Sequence, residues 1–219
     1  MKKNEYFISG IDTDCGKTYI TGLLAKQLKN SGVHVITSKL VQTGCVGVSE
    51  DIIEHRRLME IALLPEDIDG TTCPFVFTFP ASPHLATEID KRSIDFEVIR
   101  SAQKKLCANY ELVLAEGAGG LMVPITENYL TIDYIKEYNL PLILVSSSKL
   151  GSINHTLLSI DLCLQRGVYL HTVIYNQMPG DDTTIASESF AYFKRYLDKH
   201  SPSTQLLHGD NLDAISLGF

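Results

Sequence analysis

The feature that most constrains the fold of this chain is a glycine-rich loop near its N-terminus. Residues 10–18 read GIDTDCGKT, follow the apolar residues 6–8, and precede a segment with helical periodicity. A loop of this kind between a strand and a helix binds phosphate, because consecutive backbone N–H groups, the positive end of the helix and one lysine converge on the anion. Five residues separate Gly10 from Gly16, one more than in the common pattern. The sequence predicts a nucleotide-binding protein.

Composition restricts the kinds of partner. The chain has 219 residues, 44% of them hydrophobic, and we expect a single domain over residues 1–219. Its formal net charge of −7 argues against binding to nucleic acid or to an anionic membrane surface. The five cysteines are widely spaced and form no C-x-x-C pair, which suggests neither a disulfide framework nor a zinc site. The N-terminus lacks the apolar segment of a signal peptide, and no apolar run approaches the ~20 residues that span a bilayer, so we expect a cytoplasmic protein.

Apolar runs and helical periodicity alternate along most of the chain. The predicted strands are 6–9, 33–39, 111–116, 142–146 and 168–176. The predicted helices are 17–30, 50–63, 94–107, 132–137, 152–165 and 183–199. This alternation predicts an α/β fold in which helices cover both faces of a mainly parallel sheet, as in phosphate-loop NTPases. Residues 65–83 contain four prolines and are predicted to form a long loop, and the weakly patterned tail 201–219 is predicted to be poorly ordered.

Candidate reactive side chains follow the predicted strands. In open parallel sheets, ligands bind outside the carboxyl ends of the strands. Glu116 closes one apolar strand and precedes the small residues 117–120, so its carboxylate could hold Mg²⁺ together with the hydroxyl of Thr18. Lys39 ends another strand and could neutralise charge on a transferring γ-phosphoryl group. A surface glutamate and a solvated lysine are the ordinary alternatives.

Three further positions have both a functional and an ordinary interpretation. Asp51 could bind metal, although an acid in the first turn of a helix is also favoured by the helix dipole. Asn176 could hydrogen-bond a base edge, although asparagine before a turn is common. Residues 151–154 open a helix whose free N–H groups could accept a carboxylate.

Taken together, five motifs give the chain a family resemblance that runs from the first strand to about residue 176. It resembles the dethiobiotin synthetases, the ATP-dependent carboxylases of biotin synthesis. The resemblance rests on GIDTDCGKT at 10–18, KLVQTG at 39–44, SPH at 82–84, EGAGG at 116–120 and KLGSINH at 149–155.

The resemblance implies a reaction in which 7,8-diaminononanoate binds with CO₂ and forms a carbamate on one amine. The carbamate takes the γ-phosphate of ATP, and the second amine then attacks the mixed anhydride, which closes a cyclic urea and releases phosphate beside ADP. Mg²⁺ is the implied cofactor and ATP the co-substrate. A homodimer is also implied, with the substrate site at the subunit interface.

The family's functional residues transfer by position. The implied catalytic residues are Lys39, Lys17 and Thr13. The implied nucleotide-binding residues are Asp14, Cys15, Gly16, Lys17, Thr18, Tyr19, Glu116, Gly117, Ala118, Gly119, Asn176 and Gln177. The implied metal ligands are Thr18, Asp51 and Glu116. The substrate-binding residues would be Thr43, where the family usually has serine, and, from the neighbouring subunit, Gly151, Ser152, Ile153 and Asn154.

Two departures from the family pattern affect these expectations. Leu40 replaces the proline that usually follows the strand-end lysine, which changes the stiffness of the loop but leaves the ammonium in place. The region after residue 176 is short, and only residues 206–209 resemble the segment that packs on the purine in the family. The sequence therefore predicts looser nucleotide affinity, or weaker discrimination between ATP and GTP, than in typical relatives.

Three other functions are compatible with a phosphate loop. A partitioning or scaffold ATPase would use the nucleotide to switch dimerisation, but such proteins usually carry an extra lysine early in the loop, where residues 11–13 stand here. An amide-forming synthase of cobalamin type would bring a glutamine-hydrolysing domain, for which 219 residues leave no room. A nonenzymatic nucleotide-binding module is the third alternative.

Overall fold

The centre of the molecule is a six-stranded sheet in which all neighbouring strands are parallel. The structure is a computed structural model that describes residues 4–178 and 180–217. The strands are β1 Glu5–Gly10, β2 Val35–Lys39, β3 Gln42–Thr43, β4 Val76–Phe77, β5 Leu112–Gly120, β6 Pro124–Thr126, β7 Tyr129–Leu130, β8 Leu142–Ser147, β9 Leu170–Asn176 and β10 Gln205–His208. The order in the main sheet is β10-β9-β8-β1-β5-β2.

Helices lie between the strands. They are α1 Lys17–Asn30, α2 Glu50–Leu58, α3 Pro65–Ile68, α4 Pro83–Ile89, α5 Phe96–Asn109, α6 Thr131–Glu137, α7 Ser152–Arg166 and α8 Thr183–His200, followed by a short 3₁₀ turn at Leu212–Ala214. The predicted α/β fold with a mainly parallel sheet is confirmed. Within the described residues, no helix is both long enough and apolar enough to cross a lipid bilayer.

The central strands are buried on both faces, which explains their continuous apolar sequences. Successive side chains of a strand point to opposite faces of the sheet. Phe7 and Leu144 therefore belong to one apolar cluster, whereas their chain neighbours Ile8 and Ile143 belong to the cluster on the other face. The two cores hold the sheet rigidly, so the strand ends that carry polar side chains are fixed in position.

The structure corrects the prediction of a loop over residues 65–83. Pro65 and Pro83 each stand at the start of a short helix, α3 and α4, and β4 lies between these helices and pairs with β3. Proline at the first helical position loses no hydrogen bond and has a suitable φ angle. Helix α2 is also shorter than the predicted 50–63, because Glu60 adopts a left-handed φ of 56° just after it.

The predicted disorder of the tail is wrong for residues 201–217. Strand β10 pairs in parallel with β9, and Gly209 donates a backbone hydrogen bond of 2.9 Å to Tyr175. The side chain of Gln205 exchanges two hydrogen bonds with the backbone of Ser216, at 2.9 and 3.0 Å. Residues 218–219 of the predicted tail lie outside the described residues.

Candidate active site

Polar groups from β1, β2 and β5 meet at the carboxyl end of the sheet. They line a cleft of about 450 Å³. Most of the predicted site residues lie here: Thr13, Asp14, Gly16, Lys17, Thr18, Tyr19, Lys39, Thr43, Asp51, Glu116, Ala118 and Gly119. Val41, Gln42 and Glu54 also line the cleft and were not predicted.

The phosphate loop turns its backbone into this cleft through two left-handed residues. Asp14 has a φ of 54° and Gly16 a φ of 90°, and α1 begins at the next residue, Lys17. Left-handed residues alternating with right-handed ones direct successive N–H groups toward one point, which forms a concave anion site. The Lys17 ammonium donates a hydrogen bond of 3.1 Å to the Asp12 carbonyl and so lies over the loop. The loop thus has the form expected for binding polyphosphate.

Asn176, the last residue of β9, is hydrogen-bonded to the phosphate loop. Its side-chain N–H donates to the Cys15 carbonyl at 3.0 Å, and a Cβ added to Gly16 would lie only 2.1 Å from that nitrogen. Cys15 itself points into the apolar core and is 1% exposed, so only its backbone belongs to the site.

The Gly16→Ala variant is expected to bind a nonhydrolysable ATP analogue about 10-fold more weakly or worse, because the left-handed φ costs about 1–3 kcal/mol in alanine and the new methyl displaces Asn176. Isothermal calorimetry measures this. Gly32→Ala is the matched control, since Gly32 has a φ of 89° but nothing within 4 Å of an added Cβ. Equal affinity in the Gly16→Ala variant would contradict the role assigned to this contact.

Lys39 connects two carboxylates in the floor of the cleft. Its ammonium lies 2.8 Å from Glu116 Oε1 and 2.6 Å from Asp51 Oδ2, and it donates to the Gly117 carbonyl at 3.0 Å. Lys39 is 4% exposed and Glu116 is 0% exposed. These charges are held by the sheet, since β2 and β5 pair at Lys39 and Glu116.

The buried charges of Lys39 and Glu116 stabilise each other. Burial by itself would raise the pKa of Glu116, but the ammonium of Lys39 and a hydrogen bond from His55 lower it below its ordinary value. Burial by itself would lower the pKa of Lys39, but the carboxylates of Glu116 and Asp51 raise it. Both side chains are therefore ionised at neutral pH, so Lys39 carries a positive charge in the cleft.

The donor set beside the phosphate loop suits Mg²⁺. Thr18 Oγ lies 3.0 Å from Asp51 Oδ1 and 3.2 Å from Glu116 Oε1. Neighbouring ligands of octahedral Mg²⁺ also lie about 3 Å apart, given metal–oxygen distances of about 2.1 Å. Within residues 4–178 and 180–217 there is no cluster of three His, Cys, Asp or Glu side chains able to hold a metal. Two carboxylates and a hydroxyl are instead the partial set that Mg²⁺ uses when substrate phosphates complete its shell.

A buried polar chain lies behind Glu116, and the sequence analysis missed it. His55 Nε2 is 3.0 Å from Glu116 Oε2, and His55 Nδ1 is 3.1 Å from Thr37 Oγ. Arg56 donates to Thr37 Oγ at 2.8 Å and forms a two-point ion pair with Asp67, each bond 2.9 Å long. His55 and Arg56 are buried although both lie on α2, where basic side chains ordinarily face solvent, so the sequence carried no signal for this chain of hydrogen bonds.

A second pocket of about 520 Å³ adjoins the phosphate loop at the ends of β9 and β10. The predicted nucleotide-binding residues Tyr19, Asn176 and Gln177 line it, and Asn176 among them was predicted to contact the base. His208 and Gly209, from the tail that was predicted to be disordered, form part of its wall. The short tail thus supplies the pocket wall whose absence the sequence suggested.

The predicted substrate residues 151–154 do not line the cleft of their own chain, as far as its described part shows. They form the start of α7, where Leu150 is 95% exposed and Ile153 38% exposed. His155 lies near the phosphate loop, with Nδ1 3.4 Å from Asp12 Oδ2. This helix start is therefore close to the loop yet open to the outside. Gly117 does not line the cleft either, although its carbonyl accepts from Lys39.

Comparison with solved structures supports the fold. A putative plasmid partition protein from Borrelia burgdorferi, solved with bound AMPPNP, matches with a TM-score of 0.57 and 11% sequence identity, over 100% of this chain and 93% of that one. Identity this low bears on the architecture alone.

Sequence comparison identifies the family. A family model described as an AAA domain matches residues 4–207. The chain is 50% identical over 201 residues to ATP-dependent dethiobiotin synthetase BioD 2 of Haemophilus ducreyi, covering 92% of this chain and 95% of that protein. It is 51% identical over 200 residues to ATP-dependent dethiobiotin synthetase BioD of Chlorobaculum tepidum, covering 90% of this chain and 84% of that protein. The chain belongs to the family of ATP-dependent dethiobiotin synthetases.

Proposed function

We propose that this chain is an ATP-dependent cyclo-ligase that converts 7,8-diaminononanoate, CO₂ and ATP to dethiobiotin, ADP and phosphate. The observation that carries the proposal is the Lys39–Asp51–Glu116 cluster beside the phosphate loop, with contacts of 2.6–2.8 Å. Such a cluster suits phosphoryl transfer, which depends on positioning and charge neutralisation more than on covalent chemistry by the protein.

The reaction divides into three steps. One amine of the substrate adds to CO₂ and loses a proton, which gives a carbamate. A carbamate oxygen then attacks the γ-phosphorus, and the bond from that phosphorus to the ADP oxygen breaks. The second amine attacks the carbonyl carbon of the mixed anhydride, the phosphate leaves, and the amine loses its proton as the cyclic urea closes.

The residues of the cleft have distinct roles in this scheme. Lys17 and the backbone amides of residues 14–18 bind the phosphates, and Thr13 lies at the rim of the same loop. Lys39 carries a buried positive charge at the carboxylate cluster and stabilises the negative charge of the transferring phosphoryl group. Thr43 lines the same cleft, and its hydroxyl hydrogen-bonds the diamine or its carbamate. Mg²⁺ held by Thr18, Asp51 and Glu116 neutralises phosphate charge when it is bound.

A homodimer would complete the substrate site. The amides at the start of α7 and the side chain of Asn154 are proposed to bind the substrate carboxylate of the neighbouring subunit, because the N-terminus of a helix favours anions. The exposure of Leu150 and Ile153 at this helix start supports the proposal, since both apolar side chains would be covered in a dimer. We also propose that the chain forms a single domain and that the protein is cytoplasmic.

The reaction is tested by measuring ADP release with Mg²⁺-ATP, 7,8-diaminononanoate and bicarbonate, omitting each component in turn. The proposal requires that fast release needs all components and that dethiobiotin appears in proportion to ADP. ATP turnover that ignores the diamine would instead indicate a switch ATPase.

We expect the affinities for ATP and GTP to differ by less than about 10-fold, which corresponds to about 1.4 kcal/mol. The side-chain N–H of Asn176 donates to the Cys15 carbonyl, and Asp181 accepts a hydrogen bond from Ser148, so these two groups of the pocket are not free to distinguish the two bases. Calorimetry with nonhydrolysable ATP and GTP analogues measures the ratio. A strong preference for ATP, with affinity as high as in other members of the family, would contradict this expectation.

A further inference from the structure

The two carboxylate oxygens of Glu116 face different surroundings. Oε1 faces the cleft, 2.8 Å from Lys39 Nζ and 3.2 Å from Thr18 Oγ. Oε2 faces the interior and lies 3.0 Å from His55 Nε2. Both side chains of this last pair are 0% exposed. Water therefore cannot replace the bond to His55 without a change in packing.

The hydrogen bonds behind His55 determine which of its ring nitrogens carries the proton. The guanidinium of Arg56 has no acceptor, so it donates to Thr37 Oγ, and the hydroxyl proton of Thr37 is free to go to His55 Nδ1. With Nδ1 accepting, Nε2 carries the proton and donates to Glu116 Oε2. Every donor in this chain of hydrogen bonds from Arg56 to Glu116 then has an acceptor.

Asp67 fixes the end of this hydrogen-bond chain that lies farthest from Glu116. Asp67 pairs with Arg56 through both oxygens and also accepts from the backbone N–H of Leu64 at 2.8 Å and from the hydroxyl of Thr72 at 2.8 Å. Arg56 is 1% exposed and Asp67 3% exposed. Thus the ring of His55 is held from behind and cannot rotate away from Glu116 without breaking buried bonds.

We infer that His55 is a positioning residue that keeps Glu116 a one-oxygen ligand and thereby favours Mg²⁺ over Ca²⁺ in the cleft. The inference rests on the proposed metal role of Glu116. Mg²⁺ requires a near-ideal octahedron, whereas Ca²⁺ takes 6–8 oxygens and accepts carboxylates through both oxygens. Because Oε2 is held in the interior, Ca²⁺ in the cleft could not bind Glu116 through both carboxylate oxygens. Outer partners of metal ligands commonly have effects of this kind.

The test compares variants that keep or remove the donor to Glu116. In His55→Gln, the amide nitrogen takes the place of Nε2 and keeps the donor. In His55→Asn, the shorter amide reaches only the position of Nδ1, and in His55→Leu there is no polar group. Calorimetry of Mg²⁺ and Ca²⁺ binding to the complex with a nonhydrolysable ATP analogue gives both affinities without turnover.

Loss of the donor in His55→Leu and His55→Asn is expected to weaken Mg²⁺ binding about 10-fold and to raise the affinity for Ca²⁺ relative to Mg²⁺ by a similar factor. His55→Gln is expected to remain within about threefold of the parent protein, because its hydrogen bond to Oε2 survives. If His55→Leu does not fold, the comparison of the Asn and Gln variants decides. Ser38→Ala is the control, since Ser38 lies on β2 beside Thr37 and its loss removes a buried hydrogen bond of 3.1 Å to Gln103.

Glu116→Gln separates the role of His55 from the existence of the metal site. If Glu116→Gln loses Mg²⁺ affinity while His55→Leu and His55→Asn keep the parent's Mg²⁺ affinity and metal preference, the role of His55 is refuted and the metal site stands. If Glu116→Gln also binds Mg²⁺ as the parent does, the proposed metal site itself fails, and the inference with it.

Discussion

Replacement of Lys39 by methionine is expected to reduce diamine-dependent ADP release about 10³-fold, which corresponds to about 4 kcal/mol of transition-state stabilisation. The methionine side chain fills a similar volume but leaves Asp51 and Glu116 without the ammonium that lies 2.6 and 2.8 Å from them. The site then has two adjacent carboxylates where the phosphoryl group develops negative charge, and Lys17 alone cannot compensate for both. Steady-state ADP release measures the effect.

Binding and stability have to be followed in the same variant. Calorimetry with a nonhydrolysable ATP analogue separates loss of catalysis from loss of nucleotide binding, and circular dichroism reports unfolding. Lys26→Met is the matched control, because Lys26 lies on α1, pairs with Glu60 at 2.7 Å and has a partly exposed side chain. A Lys39→Met enzyme that keeps its nucleotide affinity and more than about a tenth of parental turnover would refute the catalytic role, since a tenfold loss is only about 1.4 kcal/mol.

Asp67→Ala is expected to lower the free energy of unfolding by about 3–5 kcal/mol, because it leaves the charge of Arg56 buried without a partner. Arg56 is 1% exposed, and its two bonds to Asp67 are each 2.9 Å long. For a chain of this size the loss corresponds to a decrease in Tm of roughly 10 °C. Thermal unfolding followed by circular dichroism measures it.

A neighbouring acid provides the control for this prediction. Asp69 also pairs with a basic residue, Lys105, at 3.1 Å, but both side chains are about half exposed. Asp69→Ala is expected to leave the free energy of unfolding nearly unchanged, because exposed ion pairs contribute little to stability. The double variant Arg56→Met, Asp67→Ala should recover part of the lost stability, because it removes the unpaired charge. Equal losses for Asp67→Ala and Asp69→Ala would contradict the burial argument.

The sequence predicted five of the six strands of the central sheet, because these five are largely buried, whereas β10 is only partly buried and was not predicted. Continuous apolar runs such as residues 142–146 could not form stable exposed structure, and the helix boundaries of α1 were readable from the phosphate loop and Gly32. The prolines of residues 65–83 misled the prediction, because proline breaks a helix only in its interior and favours a helix at its first position.

The candidate site also contains residues that could be predicted from the sequence and residues that could not. Lys39 and Glu116 could be predicted to lie near each other, because each was predicted to end a strand and ligand-binding residues gather at the carboxyl ends of parallel strands, and the structure brings them to 2.8 Å. His55 and Arg56 could not, since basic residues in a helix ordinarily face solvent. Their burial depends on how α2 packs against β2, and Asp67 comes from a short helix that the sequence analysis interpreted as a loop. Local sequence carries no information about such pairing between distant segments.

The edge strands of the central sheet are β2 and β10, and their features restrict how copies of this chain could pair through the sheet. Along the outer edge of β2, the N–H of Lys39 donates to the Thr72 carbonyl at 2.7 Å and Arg56 donates to the Thr37 carbonyl at 3.2 Å. At the opposite edge, β10 is only four residues long, and its Gln205 side chain holds the backbone of Ser216. Within residues 4–178 and 180–217, neither edge presents a long unpaired backbone of the kind that favours strand addition. The proposed homodimer would then form through helix faces and loops, and side-chain packing rather than a continuous sheet would set the geometry of its shared substrate site.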